Sequence, residues 1–405
     1  MDLLIILYGF WPVATANGLC VDSIIKHFKV KQLTIVCRVT DKEKAGRYVD
    51  DYREIISIYC PRKKKFNTLG AFGKTMYVLK HIWGVFFGSL ADVKLTDLYL
   101  NVIKKQLKIK KYDVVVTVLN PIEAVEVGRF IKEHNSGVYW IIYNLDTASN
   151  CSVGKIERLL GKLYYRKVFR WEKAVFEKAD LIVHLESHKK HFLQERYRSF
   201  IDKMIFQGIP LLNIKKTIKK ECVNNRLLYA GTFYHRLREP HILIDIANKA
   251  ISIDSSIELD IYTKDESIDE INMISKSDNI HVYGFVNQER LDNVISSVSA
   301  LISIGNKTTV MFPSKIISYL STLKPIIHIY QNDKDPVIHF LEKYPNALLL
   351  DGRRDANFNA QKIIDFLQIK HRTISASEVI DTFRCYTGEY CAKEILGCMN
   401  RNREL

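Results

Sequence analysis

Val298-Ser-Ala-Leu-Ile-Ser-Ile304, the loop residues Gly305, Asn306, Lys307, Thr308 and Thr309, and then Met311-Phe-Pro-Ser-Lys-Ile-Ile-Ser-Tyr-Leu-Ser-Thr-Leu-Lys-Pro-Ile-Ile-His-Ile-Tyr330 form the stretch that decides the fold. The first run is apolar, short and bounded by a glycine, which reads as a buried strand. Pro313 suits the first turn of a helix, where its missing N–H costs nothing. The helix ends before Pro325, because the residue preceding a proline is pushed out of the α region. Residues 325–330 then read as the next strand. Such a loop gathers free backbone N–H groups at the start of a helix. The helix dipole adds partial positive charge there and Lys315 adds a full one, which makes an anion site suited to a phosphate or diphosphate.

The same alternation extends outward in both directions. In the first half, residues 3–7, 33–39, 55–59, 113–118, 138–143 and 181–185 read as strands, with helical segments at 19–28, 122–134 and 156–179 among those between them. Segment 203–225, with Gly208-Ile-Pro210 and a lysine-rich run from Lys215 to Lys220, breaks the pattern and reads as a linker. Strands resume at 227–230, 258–262, 281–283, 298–304, 326–330 and 347–350. A last helical segment runs from about 375 to 400. Repeated βαβ units imply parallel sheets covered by helices on both faces. The expected architecture is α/β: two facing Rossmann-like, doubly wound domains with a central cleft. Residues 1–210 form the first domain and 211–373 the second, while 374–405 form a C-terminal helix that packs back on the first. Ligands in such sheets bind at the carboxyl ends of the strands.

Of the net charge of +15, residues 1–210 carry 35 Lys and Arg against 21 Asp and Glu, so +14 lies in the first half and +1 in the second. So one-sided a field points to a polyanion: nucleic acid, an anionic membrane surface or an acidic ligand. Eight cysteines without a CxxC pair argue against a zinc site and read as reduced thiols. The N-terminal segment lacks a basic n-region and reads as a first strand, not a signal peptide. No apolar run reaches the roughly 18–20 residues needed to span a bilayer.

The second domain opens with Arg226-Leu-Leu-Tyr-Ala-Gly-Thr-Phe-Tyr-His-Arg-Leu-Arg-Glu-Pro240. Gly231 ends its strand where a ligand can approach the backbone closely. Arg236 and Arg238 follow; an arginine fork suits phosphate, and of the two Arg238 reads more readily as a surface residue. Gly231 with a downstream arginine, Val282-Tyr-Gly-Phe-Val286, Pro313-Ser-Lys315 and Lys324-Pro-Ile-Ile327 together resemble the C-terminal domain of glycosyltransferase family 4. The likeness is to bacterial members that build capsule, O-antigen or exopolysaccharide. It covers most of residues 226–330, and extends more faintly over the whole chain.

The resemblance implies a GT-B fold and metal-independent, retaining sugar transfer from a nucleotide sugar, which serves as co-substrate with no cofactor. It places Gly231, Arg236, Pro313, Ser314, Lys315 and Ser318 at the donor. The family's two glutamates, with seven residues between them, align with Val310 and Ser318, and neither is a carboxylate. That departure keeps a second reading alive, a catalytically degenerate module that binds nucleotide sugar or scaffolds a polysaccharide complex.

In the first domain Asn17 and Gly18 follow the first strand and open a helix, a place for the acceptor. No GxGxxG is present. Asn120 and Asp146 each follow a strand, and Asp146 is placed to orient or deprotonate an acceptor hydroxyl. Arg236 and Lys315 are expected to stabilise charge on the leaving diphosphate. The basic run Arg62-Lys-Lys-Lys65 precedes the apolar, aromatic segment 76–87, a pattern suited to an anionic bilayer surface. The expected partners are a nucleotide-sugar donor, a saccharide or lipid-linked acceptor and an anionic membrane, with no nucleic acid. The expected location is cytoplasmic, peripheral at the inner face of the cell membrane.

Overall fold

The computed structural model describes residues 1–12, 15–61, 70–86, 88–148, 161–214, 225–235, 237–307 and 312–403. They form two compact units: Met1–Pro210 together with Cys385–Leu405, and Leu211–Arg384.

In the first unit the described strands are β1 (Asp2–Ile6), β2 (Gln32–Val39), β3 (Gly46–Val49), β4 (Arg53–Tyr59), β5 (Val114–Val118), β6 (Tyr139–Asn144), β7 (Leu181–Leu185) and β8 (Met204–Gln207). They make one sheet in the order β3-β4-β2-β1-β5-β6-β7-β8. All neighbours run parallel except the β3–β4 edge pair. β5 and β6 are buried along their whole length. Covered on both faces, such strands lose the in–out alternation and read as unbroken apolar runs.

Helices Val93–Ile109, Ile122–His134 and Gly161–Lys178 contribute to the core that surrounds Trp140. That indole is fully buried and donates to Thr117 Oγ1 at 2.9 Å. Gly128 makes room for it: a Cβ at that position would lie 2.4 Å from Trp140 Nε1 and 2.6 Å from Thr117 Cγ2.

Three segments differ from the sequence expectation, the first being Gly46–Val49, which adds the antiparallel edge strand β3. Met204–Gln207, inside the expected linker, is the edge strand β8 paired with β7. Four residues followed by Gly-Ile-Pro carry too little pattern to show in sequence. The last helical segment is two helices, Ala376–Thr382 and Gly388–Arg403. The Thr387 hydroxyl accepts from Tyr390 N at 3.2 Å and caps a fresh helix, so the run is interrupted. The first of these helices belongs to the second unit and the second to the first unit. Gly388–Arg403 packs on helix Ala16–Ile25, where a Cβ on Gly388 would lie 2.2 Å from the Ser23 carbonyl oxygen.

In the second unit β9 (Arg226–Ala230), β10 (Glu258–Tyr262), β11 (Ile280–Tyr283), β12 (Ala300–Ile304), β13 (Ile326–Tyr330) and β14 (Ala347–Asp351) make a sheet ordered β11-β10-β9-β12-β13-β14. Every pair is parallel. Helices His241–Ile253 and Ala356–Gln368 cover one side of its core. The chain winds outward from β9 to β11, returns to β12 and winds the other way. Doubly wound sheets bind ligands at such a reversal, which here lies at the carboxyl ends of β9 and β12. In the first unit the corresponding reversal lies between β1 and β5.

Candidate active site

Both reversals carry residues singled out from the sequence. At the β9/β12 reversal, helix Lys315–Leu320 presents Lys315 and Tyr319, four residues apart, on one face. The Tyr319 hydroxyl accepts from Ala230 N at 3.0 Å and donates to Ala230 O at 3.2 Å, which pins the helix to the end of β9. Lys315 is exposed as a residue, yet its ammonium reaches inward and donates to the same carbonyl oxygen of Ala230. Burial of the ammonium and the nearby Arg238 guanidinium push Lys315 down to about 8.

Arg238 is half-buried, and its Nε is buried without a hydrogen-bond partner. Neither Lys315 nor Arg238 is in an ion pair among the described residues. Arg236, preferred over Arg238 from the sequence, lies outside the described residues, as do Val310, Thr308 and Thr309. The correction concerns Arg238: it is drawn in beside Lys315, close enough to pull against the upward push that burial gives Tyr229. A local pairing of Tyr234 with Arg238 folds this segment back on itself, which no residue pattern announces.

Loop and turn are tied together. Gln331 Nε2 donates to Gly305 O at 2.6 Å and to Leu237 O at 3.3 Å, and Lys307 N donates to Leu237 O at 2.9 Å. The segments following β9 and β12 are thereby held side by side. Gly305 has no room for a side chain, since a Cβ would lie 1.9 Å from Asp335 Oδ2. Gly231 is likewise committed inside the protein: a Cβ would lie 2.9 Å from the Tyr229 hydroxyl. Pro313 O accepts from Ile316 N at 3.1 Å in the first turn of the helix, and Ser314 makes no side-chain cap bond. Ser318 is exposed on that helix, so it does not face a neighbouring helix.

At the β1/β5 reversal, Asn120 follows β5 with φ +68°, a left-handed conformation that asparagine tolerates better than most residues. Its Nδ2 donates to Asp146 Oδ2 at 3.4 Å, so Asn120 and Asp146 come together. Helix Ala16–Ile25 is capped by Thr15, whose hydroxyl accepts from Gly18 N at 3.3 Å. Gly18 is buried against the chain: a Cβ would lie 2.3 Å from Gly9 O, so its smallness serves internal packing. Asn17 is half-buried at the same helix start. Cys20, one turn on, has its thiol pushed up to about 12 by burial and by the Asp146 carboxylate, which places Asp146 against this helix.

Sequence reasoning missed Arg38, near the end of β2. Its guanidinium lies 3.9 Å from the Tyr8 ring centroid and its Nε is buried without a partner. An arginine closing an apolar strand was the available signal. Among the described residues no group of three or more His, Cys, Asp or Glu is placed to hold a metal ion.

Solved structures match the chain over its whole length. The apo structure of OtsA has a TM-score of 0.60 at 9% identity and covers 98% of each chain. The GtfA/B complex has a TM-score of 0.60 at 10% identity and covers 100% of both. The fold is GT-B. An E. coli trehalose-6-phosphate structure bound with UDP-2-fluoro glucose shares the GT-B architecture, with a TM-score of 0.55 at 10% identity over 100% of this chain and 97% of that one. The likeness is one of GT-B fold alone, since the sequence matches no family model and no curated protein.

Proposed function

We propose that this GT-B protein is a glycosyltransferase that moves a sugar from a nucleotide-sugar donor to a hydroxyl of a saccharide acceptor. The observation that carries the reading is the Lys315–Arg238 pair. Two cations sit together at the strand-order reversal of the second sheet, Arg238 close enough to disfavour the Lys315 charge, and neither is in an ion pair among the described residues. A diphosphate relieves that repulsion and takes both as hydrogen-bond donors. As the leaving diphosphate gains charge, the same two groups stabilise it. Arg236, Gly231, Pro313, Ser314 and Ser318 complete the donor site in this reading, with Ser318 on the ribose.

Asp146, oriented by Asn120, positions or deprotonates the acceptor hydroxyl, and Asn17 and Gly18 border the acceptor. Transfer is retaining and metal-independent in this reading, with a lipid-linked acceptor in surface polysaccharide assembly at the inner face of the cell membrane.

Support for a membrane comes from helix Ala71–Phe86 in the first unit. Met76, Leu79, Ile82, Trp83 and Phe86 are exposed, Leu79 to 54% and Trp83 to 61%. Their three- and four-residue spacing puts them on one face. No described helix is long and apolar enough to cross a membrane. An apolar face beside the basic helix Gly161–Lys178 suits the headgroup region of an anionic bilayer. Lys63, Lys64 and Lys65, the basic run expected to assist, lie outside the described residues. Trp83→Ser with Leu79→Ser is expected to weaken partitioning to anionic vesicles roughly 10-fold, measured by flotation. Unaltered partitioning rejects the membrane contact.

Calorimetric titration with a panel of nucleotide sugars, followed by an assay for released nucleoside diphosphate with candidate acceptors, tests the main reading. Saturable binding and acceptor-dependent release are expected; binding of none of the panel sinks it. Binding without release supports the degenerate module instead, which the exposed Ser318 in place of a family carboxylate favours.

A further inference from the structure

Away from the strand ends, the first unit holds a second concavity. On helix Gly161–Lys178, Lys162, Arg166, Phe169 and Glu172 recur at three- and four-residue spacing and share a face. With His191, Arg196 and Tyr197 they line a depression of about 530 Å³. That volume lies within the usual range for small-molecule sites, roughly 300–1,000 Å³.

Its floor is a built polar pair. Glu172 is 2% exposed and Tyr197 1%. The Tyr197 hydroxyl donates to Glu172 Oε2 at 2.6 Å and lies 3.4 Å from His191 Nε2. No protein donor among the described residues meets Oε1, on a residue that lines the opening. Arg196 is held over the rings of Phe169 and Tyr197, 5.6 and 5.0 Å from their centroids.

Some cations near the opening are matched. Lys173 pairs with Glu177, Lys189 with Glu186 and Arg198 with Glu195. Lys162, Arg166 and Arg196 enter no ion pair among the described residues. Glu172 is the single carboxylate among the lining residues. Three cations outside any ion pair among the described residues thus share the lining with one buried acid.

We propose that this pocket binds a phosphate ester, with the phosphate oxygens on Arg166, Arg196 and Lys162 and a hydroxyl of the esterified alcohol donating to Glu172. Two sources offer that chemistry: the headgroup of an anionic phospholipid, and a soluble phosphate ester. Helix Ala71–Phe86 packs on the pocket helix, with Lys167 Nζ donating to Gly84 O, so the lipid source would join this pocket to the apolar face already described.

The pocket also has a pH signature. Burial pushes Glu172 up to about 7, against the Tyr197 hydrogen bond and the Arg196 charge, which act the other way. His191, the other group facing the pocket that titrates near neutrality, is held below its usual value by burial and by Arg196. Glu172 is therefore the group that changes charge between pH 6 and 8. An anion binds best while Glu172 is protonated, so affinity falls as pH rises through that window.

Glycerophosphoglycerol, a soluble diester whose charge does not change over this range, and vesicles of phosphatidylglycerol against phosphatidylcholine are the two probes, read by calorimetry and flotation. Saturable binding of either is expected, weaker by roughly 10-fold in Arg166→Ala and more in Arg166→Ala/Arg196→Ala. Binding of the diester without vesicles identifies a soluble source, and binding of phosphatidylglycerol vesicles, with or without the diester, a lipid one. Glu172→Gln retains binding and flattens its pH dependence. Lys315→Ala leaves it unchanged, which separates this pocket from the donor site; loss of nucleotide-sugar binding in that variant bears on the proposed function alone. The inference is overturned if neither probe binds, if Arg166→Ala and the double variant bind as the wild type does, or if Lys315→Ala abolishes binding.

Discussion

The two units carry very different net charge, and the anion site proposed for the donor is in the less charged one. The first unit's part of the chain holds nearly all of the excess positive charge. Much of it is matched locally: Glu54 takes both Arg47 and Lys110, and Lys132 meets Asp180. The second unit is nearly neutral, and its ion pairs include Arg226 with Asp260, Arg353 with Asp333 and Asp351, and Arg372 with Glu378. Lys315 and Arg238 enter no ion pair among the described residues, and both bring charged-group atoms into a buried setting. Net charge sets the long-range field; whether a cation is left without a partner at a strand-order reversal sets where an anion is held.

The sharpest way to break this comparison is Lys315→Ala combined with Arg238→Ala. Nucleotide-sugar turnover is expected to fall on the order of 10³-fold, as when preorganised charge at a developing anion is removed. A matching removal of Arg47 and Lys110 in the first unit should leave turnover near the wild-type value. Equal effects from both pairs would erase the distinction between matched and unmatched charge.

Asp146→Asn addresses the other reversal. Turnover should drop roughly 10²-fold while donor affinity, measured by calorimetry, stays unchanged. A loss of donor affinity would move Asp146 out of the acceptor role.

Gly128→Ala tests packing and not charge. The added methyl collides with Trp140 and Thr117. Stability in urea should fall by about 1–3 kcal/mol. A neutral result would mean that the first unit's core has slack the geometry does not show.

The smallest expected effect is that of pH. Lys315, pushed down to about 8, is neutral above that value, so the diphosphate loses one charged partner. Donor affinity should weaken several-fold between pH 7 and pH 9. Lys315→Arg, always protonated, should flatten that profile; an unchanged slope would assign the titration to another group.

Much of this architecture is legible in the residue order. Buried parallel strands announce themselves as apolar runs, and Pro313 and Pro325 bracket the helix that bears Lys315. The expected strands of both sheets appear, and Asn120 and Asp146, each just past a strand, come within hydrogen-bond reach of each other. What escaped has a common cause. β8 is four residues long, and the last helical segment divides at a single threonine cap, so neither leaves a periodic signal. Gly18 and Gly231 read as places where small size serves a ligand, and the structure adds an internal reason: a Cβ there would meet Gly9 O and the Tyr229 hydroxyl.

The sequence by itself determined the two α/β halves, the strand–loop–helix units and the identity of the charged and polar residues at strand ends. Those features depend on local pattern, which residue order carries directly. Only tertiary structure decided which of the described cations keep a carboxylate, that Arg238 folds in beside Lys315, and that Glu172 lies buried in a pocket it shares with Lys162, Arg166 and Arg196. Pairing and burial are set by residues distant in the chain, and the energy of a charge depends on those neighbours far more than on its own type.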